Sequence, residues 1–317
     1  TKVCGRCNNI IQRLTVKRRN GGTDQIKWRC SRCGWHVTAL DGVEFLTHQD
    51  NRNRLALTII VKIVYCFSND IPAYCVPTMF DVSYPAVVQW YNLCRDECYI
   101  SLDRAEKMGG EGELVQVDES LFGGRDKYKR GRQTDADTRA RARREDPTAS
   151  SGEEGEGPRN YANLVSHHKW VFGMCWHKNG AEPNEVRYIK VPDRKADTIL
   201  PLIARHVAPG TIIWSDEWRA YYRMRHPNQH GAVYEHFTVN HQDNFVAPVT
   251  GVHTQAIESS WLRPKNKILR QCRGLGDAAL PKYLAEAWFK GKCMLRAGKR
   301  DPTVFERFLL LVAGNRP

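Results

Sequence analysis

The chain has 317 residues, of which 41% are hydrophobic, and its 48 Lys and Arg outnumber its 35 Asp and Glu to give a formal net charge of +13. This length suits two or three domains with sizeable cores, and the lack of any long apolar run excludes a membrane-spanning helix. The excess of positive charge favours a polyanionic partner, because Lys and Arg placed on phosphates release condensed counterions. The 11 cysteines are odd in number and mostly scattered, which argues against a disulfide framework and indicates a reducing compartment.

Two paired-cysteine motifs lie near the N-terminus, Cys4-Gly-Arg-Cys7 and Cys30-Ser-Arg-Cys33. Four thiolates at this spacing can surround one tetrahedral Zn²⁺ ion, with a β-hairpin as the spacer. So short a segment has too little core to fold alone, so the bound metal would supply the missing stability. We predict a zinc ribbon over residues 1–45, with one structural Zn²⁺ that is either a pure staple or part of a DNA contact.

Residues 46–108 are predicted to be helical. A first helix covers residues 50–67, a short helix ends near Met79, and a longer one begins at Tyr84-Pro85, where proline suits the first turn. Two helices across a three-residue turn, in a basic protein, favour a helix-turn-helix DNA-binding domain. An ordinary helical hairpin is the alternative. The predicted DNA contacts at the start of the longer helix are Ser83, Tyr84 and Gln89.

A segment at residues 125–160 changes composition abruptly. A basic stretch, "KYKRGRQTDADTRARARR", is followed by the acidic "EDPTASSGEEGEGP". Nothing in it can offset the entropy cost of ordering, so we predict a charged, flexible insertion. Its basic half is a candidate DNA clamp or nuclear-import signal.

Around this insertion, residues 109–272 are predicted to form an α/β domain. Predicted strands cover residues 113–122, 169–177, 185–191, 211–215 and 233–239, and predicted helices cover residues 193–207, 217–224 and 254 onward. Three strands in a meander followed by alternating helices and strands are typical of a ribonuclease-H-like (RNase-H-like) fold. Two C-terminal helices, near 276–297 and 301–313, complete the chain as a separate segment over residues 273–317.

Three acidic residues occur where a catalytic metal site would need them. Asp118 lies within the first strand of the α/β domain and Asp216 directly follows the fourth. An unpaired carboxylate in a central strand is costly, but the cost disappears when two such acids share a divalent cation. In the predicted sheet these strands are neighbours, and Glu258 lies one turn into the helix that starts at Thr254. Three carboxylates so placed can hold two Mg²⁺ (or Mn²⁺) ions for in-line attack on phosphorus.

Other titratable residues near these acids are predicted to have lesser roles. Glu119 and Glu217 are adjacent to the two aspartates, but strand and helix geometry directs them elsewhere, so we assign them to the surroundings of the site or to the surface. His241 and His253 are interpreted as structural or DNA-facing histidines rather than metal ligands.

At these residues the sequence resembles the Merlin superfamily of DDE transposases and its bacterial insertion-sequence relatives. The resemblance covers "VQVDESLFGGR…KYKRGR", "WVFGMCW", "VPDRKADTILPLIARHVAPGTIIWSDEWRAYY" and "VNHQDNFVAPVTGVHTQAIESSW", together with the N-terminal cysteine motifs. It implies an RNase-H-like core whose catalytic acids fall on Asp118, Asp216 and Glu258. Such enzymes commonly carry a basic residue seven positions after the glutamate, here Lys265, as a phosphate contact. Pro264 precedes it and is expected to kink or end the helix.

The resemblance also implies a function. The chain would be a cut-and-paste transposase that binds the terminal inverted repeats, cleaves double-stranded DNA and joins the 3′-hydroxyl ends to target DNA. A homodimer on paired ends, no membrane partner and a nuclear location are expected, with a bacterial cytoplasm as the alternative location. Two other functions remain open: a domesticated transposase acting as a sequence-specific DNA-binding regulator, and a related nuclease or resolvase without strand transfer.

Overall fold

The computed structural model describes residues 2–11, 14–19, 22–38, 45, 55–123, 168–178, 184–225, 234–239, 251–272, 275–293 and 303–313. The predicted charged insertion at residues 125–160 and His241 lie outside these ranges. The strands are β1 Lys2–Val3, β2 Ile10–Ile11, β3 Leu14–Arg19, β4 Gly22–Arg29, β5 His36–Thr38, β6 Leu114–Gly123, β7 His168–His177, β8 Glu185–Val191, β9 Ile212–Asp216 and β10 Glu235–Val239. The α-helices are α1 Leu57–Ser68, α2 Val76–Met79, α3 Tyr84–Asp103, α4 Ala196–His206, α5 Gln255–Ser260, α6 Leu262–Lys265, α7 Leu280–Lys292 and α8 Val304–Val312.

The N-terminal segment is built from two small sheets. Strands β1 and β2 pair antiparallel, and β3, β4 and β5 form an antiparallel three-stranded sheet. The β3–β4 pair is the hairpin predicted as the spacer between the cysteine motifs. Each motif is a tight turn that ends in a residue with positive φ, Asn8 at 57° and Gly34 at 72°.

The helices α1, α2 and α3 share one hydrophobic core with the C-terminal helices α7 and α8. Buried Ile60, Ile63, Val64 and Phe67 follow the helical period of α1, so that they form one apolar face. That face meets Trp90 of α3, Trp288 of α7 and Phe308 of α8 in the same cluster. The C-terminal helices therefore complete the core of the predicted helix-turn-helix region, although they are far from it in sequence.

The predicted turn between the short and the long helix is present. Helix α2 ends at Met79, and α3 begins at Tyr84 with Pro85 in its first turn. Helix α1 begins at Leu57, later than predicted, and α7 and α8 are shorter than the predicted C-terminal helices. None of the helices in the described ranges combines the length and apolar character that a bilayer crossing would require.

A five-stranded mixed sheet, ordered β10-β9-β6-β7-β8, forms the centre of the α/β region. Strands β6, β7 and β8 are an antiparallel meander, whereas β9 is parallel to both β6 and β10. One face packs on α4 and the other on α5, so the central strands are apolar on both faces. The five strand predictions are thus confirmed to within a few residues, as is the pairing of the first and fourth. The helix predicted at residues 217–224 is instead a 3₁₀ helix, Arg219–Arg225.

Candidate active site

The two predicted catalytic aspartates lie on neighbouring parallel strands. The β6–β9 register pairs Val115 with Ile213 and Gln116 with Trp214, and that is its last pair. Continuing the register by two residues places Asp118 beside Asp216, and alternation along a strand puts both on the face that carries Gln116 and Trp214. Adjacent strands are roughly 4.8 Å apart. The two carboxylates therefore lie on the same face of the sheet, two residues beyond the last pair between β6 and β9.

Asp118 is held by a tryptophan on the other side of the site. It is partly buried, and the indole Nε1 of Trp261 donates a 2.8 Å hydrogen bond to its Oδ2. The pKa of Asp118 is raised to about 6, mainly by burial and also by the negative charges of Asp216 and Glu258, while the Trp261 hydrogen bond acts in the opposite direction. The three acids are thus close enough for their charges to interact.

Helix α5, which carries Glu258, is seated on β6 and β7 by two residues that the sequence interpretation missed. The side-chain Oε1 of Gln116 accepts hydrogen bonds of 3.1 Å from the backbone N–H groups of both Ala256 and Ile257, in the first turn of α5. Gly173, paired with Asp118 across β6 and β7, lies directly under the Trp261 ring. A Cβ at that glycine would be 2.6 Å from the ring, so only glycine lets the helix approach so closely. A glycine within the otherwise bulky strand sequence "WVFGMCW" could have indicated this close approach of a helix.

Glu258 and Asp216 are each held by a neighbour in the chain. The Thr254 hydroxyl, just before α5, donates a 2.7 Å hydrogen bond to Glu258 Oε1. The backbone N–H of Trp218 donates to Asp216 Oδ1 at 3.1 Å. Glu258 is exposed and Asp216 partly exposed. Both carboxylates are therefore oriented before any ligand arrives.

The three acids suit a hard divalent cation by their chemistry. Carboxylate oxygens are the ligands that Mg²⁺ and Mn²⁺ prefer, and the mutual repulsion that raises the Asp118 pKa would be offset by such a cation. In the described part of the chain, the only group of three or more metal-ligating side chains with ligand atoms within 4.8 Å of one another is the four cysteines. The acids form a more open set, so shared coordination would draw them together.

The acids predicted to be peripheral differ from each other. Glu119 lies on the opposite face of β6 from Asp118, where it accepts a hydrogen bond from the buried Tyr221 hydroxyl. The pKa of Glu119 is raised to about 8, mainly by burial and in smaller part by the charges of Asp216 and Asp118. Glu217 is exposed, as expected for a surface residue.

Pro264 interrupts the helix that follows Glu258 without ending it. Because proline has no N–H, the carbonyl of Ser260 loses its usual helical partner. The Tyr188 hydroxyl donates a 3.0 Å hydrogen bond to that carbonyl instead. The chain continues through α6 into a π-helix, Asn266–Gln271. Lys265 then reaches the same side of β6 as Asp118, with its Nζ 5.9 Å from the centroid of the Phe122 ring.

His253 is part of the packing near the acids. Its Nδ1 lies 3.4 Å from Gln116 Nε2, and its ring is 5.3 Å from that of Trp214 in an edge-on contact. This position matches a structural histidine beside the N-terminus of α5.

The three predicted DNA contacts Ser83, Tyr84 and Gln89 are exposed at the start of α3. The only basic residue of α3 is Arg95, which is buried and paired with Glu286 at 2.9 Å. Any phosphate contact from this helix would therefore use polar side chains or backbone N–H groups rather than charge.

The four cysteines of the N-terminal motifs meet in one place. Their sulfur atoms lie within 4.8 Å of one another, with Cys4 and Cys30 buried and Cys7 and Cys33 partly buried. The backbone N–H of Cys33 lowers the pKa of Cys30 to about 6 although burial opposes ionisation, so one thiolate is available near neutral pH. Four sulfurs at this separation fit a tetrahedral Zn²⁺ site.

Comparison with known proteins identifies the family. The family model described as an ISXO2-like transposase domain matches residues 110–291, more than half of the chain. The chain belongs to the ISXO2-like transposase family. The matched range contains all three acids of the site and Lys265, and it ends within α7. No curated protein matches the chain.

Membership of the ISXO2-like transposase family agrees with the insertion-sequence part of the resemblance found in the motifs. The Merlin assignment stays a prediction. The matched range also places β6, β9 and α5 in one family domain, so the acids belong to the part of the chain that the family shares.

Proposed function

We propose that this chain is a cut-and-paste DNA transposase that cleaves DNA and joins the freed 3′-hydroxyl ends to target DNA at Asp118, Asp216 and Glu258. The observation that carries the proposal is the register of β6 and β9, whose continuation by two residues would set the two aspartates beside each other. The family match and the raised pKa of Asp118 support it. Cleavage and joining are both phosphoryl transfers, so one site suffices for both steps.

Each residue of the site has a distinct part in this proposal. The three carboxylates would hold two Mg²⁺ or Mn²⁺ ions, which supply Lewis-acid stabilisation of the attacking and leaving oxygens. Trp261 fixes the orientation of Asp118 through Oδ2, and Thr254 fixes that of Glu258. Lys265, on the Asp118 side of β6, is the proposed phosphate contact.

The remaining parts of the chain would position the DNA. We assign end recognition to the zinc ribbon, with Zn²⁺ at Cys4, Cys7, Cys30 and Cys33, and to the helix-turn-helix with Ser83, Tyr84 and Gln89. An RNase-H-like core is supported by the meander of β6, β7 and β8 followed by the parallel strands β9 and β10. Because two ends must be cut together, the proposed assembly is a homodimer on paired ends, in the nucleus of a Merlin-like host or in a bacterial cytoplasm.

The test compares single substitutions on labelled DNA that carries the sequences flanking the gene, with Mg²⁺ present. We expect Asp118→Ala, Asp216→Ala and Glu258→Ala each to reduce cleavage by on the order of 10³-fold or more. Catalytic groups that act together lose most of their effect when any one of them is removed. Binding to the same DNA should stay near that of the unmodified protein. Glu217→Ala is the matched control, since it removes an exposed acid next to Asp216, and it should cleave normally.

The outcomes separate this proposal from its rivals. Mg²⁺-dependent nicking retained in any of the three variants would overturn the assignment of that residue. Sequence-specific binding by the unmodified protein without any cleavage would favour the DNA-binding regulator. Cleavage without a joined donor–target product would favour a nuclease or resolvase.

A further inference from the structure

An arginine and two tryptophans meet at the edge of the sheet that carries the acids. The Arg194 guanidinium lies 4.1 Å from the centroid of the Trp170 ring and 4.5 Å from that of Trp218. Arg194 precedes α4, Trp170 lies in β7, and Trp218 follows β9 directly. We refer to these three residues as the indole–arginine cluster. Cation–π contacts of this kind hold the ring of Trp218 in a defined orientation.

The cluster is attached to the proposed catalytic site. The backbone N–H of Trp218 donates a hydrogen bond to Asp216 Oδ1. The same residue therefore orients one of the acids and contributes its indole to the cluster. Trp170 pairs with Leu121 of β6 and lies on the α4 face of the sheet, opposite Asp118, so the cluster approaches the acids through Trp218. DNA bound for cleavage at Asp118 and Asp216 would therefore come within reach of Trp218, two residues after Asp216.

Trp218 offers a ring face but no hydrogen-bond donor. Its Nε1 already donates to the Arg194 carbonyl at 3.2 Å, yet 39% of the residue is exposed. The side chain therefore cannot read a base edge, and stacking is the contact left to it. In a duplex both faces of each base are covered by neighbouring pairs, so only an unpaired or terminal base can stack on an indole.

Arg194 retains charge that a phosphate could use. Among the residues that the structure describes, no carboxylate forms an ion pair with its guanidinium, which lies over the two rings. Its positive charge acts on Glu119, whose pKa it lowers against the stronger effect of burial. A guanidinium stacked on aromatic rings still has N–H donors at its edge, and these match a phosphate.

From these contacts we propose that the indole–arginine cluster binds an unpaired nucleotide next to the cleaved phosphodiester, with its base on Trp218 and its phosphate at Arg194. The proposal rests on the proposed function, because it names the DNA strand on which that site acts. The proposal also requires that the DNA duplex opens locally at the site of cleavage, so that an unpaired base is present.

The experiment measures binding in the absence of divalent cations, so that it does not depend on cleavage. Fluorescence anisotropy compares a labelled blunt DNA hairpin with the same hairpin carrying a short unpaired overhang. The unmodified protein should bind the overhang DNA about tenfold more tightly, the effect of one base–aromatic stack. Trp218→Leu should lose this preference, because leucine keeps apolar volume but has no π-face. Trp218→Phe should retain most of it.

One control variant and three stated outcomes keep the result specific. Tyr99→Ala removes an exposed aromatic residue of α3 and should leave the preference unchanged. Equal affinity of the unmodified protein for both DNAs would overturn the proposal, as would an equal loss for both DNAs in Trp218→Leu. If the overhang preference depends on Trp218 but the protein does not cleave with Mg²⁺, the proposed function fails and the stacking site stands.

Discussion

Two groups of buried or half-buried acids in this molecule have opposite electrostatic surroundings. At the end of the central sheet, the pKa values of Asp118 and Glu119 are raised, to about 6 and about 8, chiefly by burial. Between the helices, the pKa of fully buried Glu286 is lowered to about 2, because Lys290, Lys267 and Arg95 outweigh the effect of burial. The pKa of Asp70 is lowered in the same way by Lys290 and Lys267.

The pKa values differ in direction because the acids contact groups of different charge. Glu286 contacts Lys267 at 2.5 Å, Lys290 at 2.6 Å and Arg95 at 2.9 Å, so its charge is fully compensated. Among described side chains, the hydrogen-bond donors to Asp118 and Glu119 are the neutral Trp261 and Tyr221. At the sheet end, the neighbouring donors therefore do not offset the cost of ionising Asp118 and Glu119, and such raised pKa values are typical of functional sites. The helical cluster needs no external ion.

The two groups are also mechanically connected. Lys267 lies in the π-helix that continues from α5 and α6, and Arg263 of α6 pairs with Asp70 at 3.3 Å. The segment that carries Glu258 is thus anchored to α1 and α7 through the compensated cluster. The compensated cluster thereby fixes the backbone that carries Glu258 at the proposed site.

The largest effect is expected when the compensated cluster is broken. Glu286→Ala leaves three buried or half-buried cations close together, of which Lys267 and Lys290 still pair with Asp70. Removing one partner of a buried ion pair costs about 3–5 kcal/mol, so the free energy of unfolding should fall by that amount. Urea unfolding followed by tryptophan fluorescence measures it.

The matched control for Glu286 is Asp277, which bridges Lys169 and Lys190 at the surface with 68% of its side chain exposed. Asp277→Ala should change the free energy of unfolding by less than about 1 kcal/mol. Similar losses in the two variants would contradict the role assigned to the buried cluster.

A smaller effect is expected when a side chain is added at Gly173, where α5 and Trp261 pack on β7. Gly173→Ala places a Cβ 2.6 Å from the Trp261 ring and 2.9 Å from Ile257, so the helix must shift. Overpacking of this kind costs about 1–3 kcal/mol, and the shift should also slow cleavage because Trp261 orients Asp118. Thermal unfolding and the cleavage rate are the two measurements.

Gly291 in α7 is the control for this change, because nothing lies within 4 Å of a Cβ built there. Gly291→Ala should leave cleavage intact and stabilise the fold by about 0.5–1 kcal/mol, as alanine does in a helix. A Gly173→Ala protein that cleaves at the normal rate would show that α5 is not held by this contact.

The smallest expected effect is an increase in the free energy of unfolding rather than a decrease. Asp118→Asn removes a carboxylate whose pKa is raised in the fold, so at pH 8 the variant should be more stable by about 1 kcal/mol in the absence of divalent cations. A raised pKa means that the ionised form destabilises the fold. The gain should therefore shrink as the pH falls through about 6 and vanish below about 4, where Asp118 is protonated in both states.

Melting temperatures of Asp118→Asn and the unmodified protein, measured across this pH range, test the prediction. Mg²⁺ should stabilise only the unmodified protein, since the variant lacks one of the carboxylates proposed to hold it. A variant that is less stable at every pH would show that Asp118 is a structural residue.

The sequence by itself determined the features that depend on neighbouring residues. The spacing of four cysteines predicted the cluster that the structure forms, and alternation of apolar residues predicted the strands that carry the aspartates. Ligand chemistry then selected Asp118, Asp216 and Glu258, which remain predictions as catalytic residues. All of these are local patterns, so no knowledge of distant contacts was needed.

Only the tertiary structure decided how these residues are held. Trp261 reaches Asp118 across 143 residues of chain, and Arg95 reaches Glu286 across 191. Whether Pro264 ends its helix depended on a Tyr188 hydroxyl from an adjacent strand, and the burial of Glu286 depended on cations from three segments. Such contacts arise from the packing of elements against one another, and the free energy of that packing is not encoded in any single stretch of sequence.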